Sequence, residues 1–108
     1  RPSDRRLADR RPIAVGDLNI LGLGTLSADR KKITKTIERL VAAKGIASVE
    51  RVVQRAIRSA KKRRSQVSKR GDRNERRRWS EANVTLLRLN HAQQVLSTLE
   101  RSKGVEVR

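Results

Sequence analysis

The chain has 108 residues, with 28 Lys and Arg against 11 Asp and Glu, a formal net charge of +17, no Cys, Met, Phe or Tyr, a single aromatic residue, Trp79, and a single histidine, His91. The missing thiols exclude zinc-thiolate and Fe–S sites, disulfide frameworks and cysteine nucleophiles, and one aromatic is too few for an RNA reader that stacks bases. No apolar run approaches the roughly 18–20 residues of a membrane-spanning helix, so no membrane role is expected.

Leu, Ile and Val number 27, above the roughly 20% below which strongly charged chains stay unfolded. One small helical core is therefore expected, stabilised by a polyanion that offsets the self-repulsion.

Residues 1–26 read as an extended basic and apolar arm. Pro2 and Pro12 oppose helix, and Gly16, Gly22 and Gly24 punctuate the rest of the segment. Ile13, Val15, Leu18, Ile20, Leu21, Leu23 and Leu26 are too many for a free linker and are expected to pack on the helices or on a neighbour. Residues 27–108 form the helical domain.

A first helix is expected over 28–44, with Ser27 as N-cap and Asp29 in the first turn. Ile33, Ile37, Leu40 and Val41 share one face, and Gly45 is placed to end the helix in a left-handed conformation. A second helix is expected over 48–67, carrying a stripe of Val49, Val52, Val53, Ala56, Ile57 and Ala60. Residues 68–78 read as a basic loop through Gly71, Asp72 and Asn74. A third helix is expected over 80–103, with Ser80 as N-cap, Trp79 and Val84 spaced as a hydrophobic staple, and Gly104 closing it. Leu86, Leu89, Ala92, Leu96 and Leu99 make its apolar stripe, widened by Val84, Leu87 and Val95. The fold class is therefore all-α: a helical hairpin, a long third helix packed across it, and a basic N-terminal arm. Trp79, Val84, Leu89, Leu96 and Leu99 are the expected packing residues, towards the hairpin or a neighbouring protein.

The charge is concentrated in the middle of the chain. Residues 58–78 hold Arg58, Lys61, Lys62, Arg63, Arg64, Lys69, Arg70, Arg73, Arg76, Arg77 and Arg78 against Asp72 and Glu75, a net +9 in 21 residues. Closely spaced cations displace the condensed counterions of a nucleic-acid backbone, and the guanidinium fork grips phosphate oxygens in pairs. A solvated face is the ordinary meaning of a short charge run, but eleven cations with two acids point to nucleic acid. Arg5, Arg6, Arg10 and Arg11 of the arm form a secondary cluster with Arg1, diluted by Asp4 and Asp9.

Residues 37–57 admit a helix-turn-helix reading, with Gly45 in the turn and Arg51 and Arg55 presented for base reading in DNA. Lys44 and Arg51 stand where that motif buries apolar residues, and a plain helix hairpin explains the same pattern. His91 has no cysteine to pair with and shares no helix face with two carboxylates, so no catalysis, small-molecule substrate, metal or cofactor is expected. It should border the core or hydrogen-bond the backbone.

The expectation is a non-catalytic nucleic-acid-binding protein, with RNA favoured over DNA. Dense arginine, a basic arm and a small core suit a component of a ribonucleoprotein such as a ribosome. Such a protein is expected to sit among neighbouring proteins inside the cell, in a mitochondrion or plastid or else in the cytoplasm. The chain starts at Arg1, as a processed chain or a fragment would. The alternatives are a DNA-binding regulator or architectural protein using the second helix, and a protein–protein adaptor using the third.

Overall fold

A computed structural model describes residues 12–107, with side chains as far as residue 102. In chain order come β1 (Ile13–Ala14), a 3-10 helix (Gly16–Leu21), β2 (Thr25–Leu26), α1 (Arg30–Lys44), α2 (Ile46–Ser65) and α3 (Arg73–Val107). The fold is all-α, three α-helices with one short ribbon.

Residues 13–26 are not extended as an arm would be. β1 pairs antiparallel with β2, Ile13 opposite Leu26 and Ala14 opposite Thr25, and the 3-10 helix bridges them. Val15, Leu18, Leu21 and Leu26 are buried in the main core, so apolar area taken from water pulls this segment onto the helices. Ile20 is the exception, at 63% exposure.

α1 buries Ile33 and Ile37, with Leu40 and Val41 packed at the core's edge. Its N-cap is Asp29, not Ser27: the Asp29 carboxylate accepts from the Lys31 N–H at 2.9 Å. Ser27 Oγ instead accepts from the Asp29 N–H at 3.1 Å. The helix therefore starts two residues later than expected, with an anion at the positive end of its dipole.

One residue, Gly45, joins α1 to α2. Its φ of 90° and ψ of 146° give the positive φ expected, although outside the left-handed helical region, and glycine tolerates this where other residues do not. Its N–H donates to the Val41 carbonyl at 2.9 Å and its carbonyl accepts from the Val49 N–H at 3.2 Å. Both helices use the same residue as a cap, so α2 begins at Ile46, two residues earlier than expected. α2 buries Val49, Val52, Val53, Ala56 and Ala60 and ends at Ser65, two residues earlier than expected.

The largest departure is at α3. The basic loop expected over 68–78 shrinks to a turn over 66–72, and Arg73–Arg78 are helical. Ser80 is therefore mid-helix, and Trp79 and Val84 cannot form a staple. The cap is Asp72, whose Oδ1 accepts from the Glu75 N–H at 2.9 Å; Asp72-x-x-Glu75 has capping-box spacing. Glu75 reaches back past the cap, and its Oε2 accepts from the Ser68 N–H at 3.1 Å. Gly104 does not end the helix, which runs to Val107. At about 1.5 Å per residue, a helix of 35 residues accounts for the molecule's longest dimension, 53 Å.

α3 and α2, joined by the short turn, pack against each other most extensively, and α3 also packs on α1. Leu86, Leu89, Ala92 and Leu96 are buried, while Val95 and Leu99 lie at the core's edge. Leu87 does not widen the stripe: it is 62% exposed, one residue past Leu86 and rotated away from both partner helices. Two polar residues are buried instead. Thr85 donates its hydroxyl to the Glu81 carbonyl at 2.8 Å, and Arg88, 6% exposed, donates to the Leu26 carbonyl at 3.0 Å. Arg88 thereby ties the ribbon to α3. His91 borders the core as expected, its Nε2 lying 3.2 Å from Thr34 Oγ1 and 3.3 Å from the Arg30 carbonyl.

Candidate nucleic-acid interface

The turn over 66–72 gathers three basic blocks at one corner. α2 ends with Arg58, Lys61, Lys62, Arg63 and Arg64; the turn holds Lys69 and Arg70; α3 opens with Arg73, Arg76, Arg77 and Arg78. All are exposed except Arg64, which is half-buried and donates to Asn83 Oδ1 at 2.8 Å. Arg64 therefore clasps α2 to α3.

Arg63 and Arg78 come from opposite sides of the corner and line one groove of about 320 Å³, with Gln66, Glu81 and Thr85 along it and Ile13 and Ala14 of β1 at its edge. A second groove of about 310 Å³ opens beside it, lined by Asn74, Arg77, Arg78 and Glu81. Gln66, Asn74 and Thr85 are not candidates from sequence; each joins the grooves because of how α2, the turn and α3 meet. Lys69 lies over the Trp79 ring, 5.0 Å from its centroid, a cation–π contact that holds the turn against α3.

The acids of this segment leave the cations largely unneutralised. Asp72 accepts from the Glu75 N–H in the first turn of α3, and Glu75 accepts from the Ser68 N–H of the turn. Among the described residues the segment makes one ion pair, Arg77 to Glu81 at 3.4 Å, with both side chains mostly exposed. Such a pair contributes at most about 1 kcal/mol and yields readily to a phosphate. Four arginines in the first two turns of α3 also oppose the helix dipole, whose positive end lies there. A phosphate at the corner reverses that sign, because helix N-termini and arginines both favour anions.

The remaining expected sites are distributed elsewhere. Arg51 and Arg55 are exposed on α2, about three and two turns before Arg63. The one-residue link at Gly45 is shorter than the three- to four-residue turn of a helix-turn-helix, so these arginines sit on a differently built unit. Arg5, Arg6, Arg10 and Arg11 lie outside the described residues. Leu89 and Leu96 are fully buried and Leu99 partly so, which places the stripe of α3 in this chain's own core. Trp79 and Val84 are half-buried.

Among the described residues no three His, Asp or Glu side chains converge as a metal site, and no helix is long and apolar enough to cross a membrane. No protein-family model matches the chain, and no curated protein and no solved structure resembles it significantly.

Proposed function

We propose that this chain is a non-catalytic RNA-binding protein, a structural component of a ribonucleoprotein such as a ribosome, that grips backbone phosphates at the α2–α3 corner. The observation that carries this reading is the gathering of exposed cations around a groove shared by Arg63 and Arg78, while Asp72 and Glu75 are held by the turn. Cations placed this way screen phosphate repulsion where RNA segments approach each other, and the small core beneath holds them in register. RNA is preferred to DNA because Arg51 and Arg55 lie on a helix entered through a one-residue link at Gly45, shorter than the three- to four-residue turn of a helix-turn-helix.

Two measurements test the reading. Binding to single-stranded RNA should weaken steeply with salt, with a log–log slope of about −4 to −6 for roughly six to eight phosphates. Replacing Arg76, Arg77 and Arg78 with Gln should flatten the slope by about 2 and weaken binding about equally across RNA sequences. Salt-insensitive binding overturns the proposal. So does recovery of the native chain on short DNA duplexes in place of co-sedimentation with ribosomal particles at moderate salt.

A further inference from the structure

A third groove, also basic, lies on the other side of the ribbon. β1 borders the Arg63–Arg78 groove. β2 and its flanks border a groove of about 320 Å³ whose far wall is α1. That wall presents Lys32, Lys35 and Arg39, and the groove also holds Thr25, Ser27 and Thr36. The three cations are spaced i, i+3 and i+7, which places them on one helix face, and all three are exposed. Among the described residues no acid lines this groove. Asp29 nearby is occupied as the cap of α1.

Three lysines and arginines on a helix are ordinarily a solvated face. This groove differs because the ribbon faces them across a concavity with hydroxyl groups. Cations supply charge without direction, and hydroxyls supply short directional donors to phosphate oxygens. Pro12 and Leu23 also line the groove.

We infer that the α1–ribbon groove is a second backbone-phosphate site, contacting RNA through Lys32, Lys35 and Arg39. The inference rests on the RNA-binding reading of the α2–α3 corner. It adds that the protein holds the backbone on both sides of its ribbon and not only at that corner.

The test compares two triple variants of equal charge against the full chain on the same single-stranded RNA. The first is Lys32→Gln, Lys35→Gln, Arg39→Gln; the second is Arg30→Gln, Lys44→Gln, Arg101→Gln. All six side chains are exposed, and circular dichroism confirms the fold of each. The inference expects the first variant to flatten the log–log salt slope by about 2, from three phosphate contacts at about 0.7 each on a single strand. The second should change the slope by less than half as much, because it removes only long-range attraction. Equal effects of the two variants, or no effect of the first, overturn the second site while leaving the corner reading intact. Failure of the unmodified chain to bind RNA overturns the corner reading itself.

Discussion

Where α3 begins decides whether Arg73–Arg78 form a rigid array or a loose loop, and Asp72 is the residue to perturb. Its carboxylate accepts from the Glu75 N–H at 2.9 Å, and its carbonyl accepts from the Arg76 N–H at 3.0 Å. Truncating an N-cap to Ala costs about 1 kcal/mol, within a range of about 0.5–2. Loss of the anion from the positive helix end adds about 0.3–1 kcal/mol, at the low end for an exposed group. Asp72→Ala should therefore destabilise the fold by about 1–2 kcal/mol, or about 4–8 °C in Tm per kcal/mol for a domain of this size. Asp72→Asn removes the same charge but keeps a side-chain acceptor that caps equally well, so it should lose less than half as much. The difference between the two isolates the hydrogen bond from the rise in net charge. Ser80→Ala, mid-helix in this structure, should stay within about 0.5 kcal/mol. The assay is thermal unfolding by far-ultraviolet circular dichroism at fixed ionic strength. A silent Asp72→Ala alongside a costly Ser80→Ala would show that the helix starts at Ser80 and that the arginine array is not helical.

Two further outcomes check the packing. Leu89→Ala, at a position with no exposure, should cost about 2–5 kcal/mol in chemical denaturation, whereas Leu87→Ser, two residues earlier and exposed, should stay within about 0.5 kcal/mol; equal costs would contradict the face assigned to α3. Arg88→Met should cost about 1–3 kcal/mol by leaving the buried Leu26 carbonyl without its donor, and hydrogen exchange should speed up at Leu26 and at Val15, which follows β1 and donates to the Gly24 carbonyl; unchanged protection there would refute the tie between β2 and α3.

The face of each helix is legible directly in the chain. Ile33 and Ile37, Val49 and Val53, and Leu89 and Leu96 recur at helical spacing, and no other arrangement hides all of them. The position of the charge is equally legible, because eleven cations in residues 58–78 are a property of composition. Helix ends are less so. Ser27 and Asp29, or Asp72 and Ser80, are all competent caps, and local chemistry does not rank them. Gly71, Asp72 and Asn74 carry turn chemistry, so local reasoning places the start beyond the arginines. The Ser68–Glu75 hydrogen bond and the Lys69–Trp79 contact favour the earlier start, and both join residues whose proximity the turn creates.

By itself, then, the sequence determined an all-α class, the buried stripes and a basic centre of charge, since each comes from residue type and periodicity. Only the tertiary structure decided that residues 13–26 fold back into the core, that Arg88 is buried and bonded to Leu26, and that Arg63 faces Arg78 across one groove while Lys32, Lys35 and Arg39 face the ribbon across another. Those facts depend on pairs far apart in the chain. Which distant surfaces meet is settled by the packing of the whole core, and no local pattern encodes it.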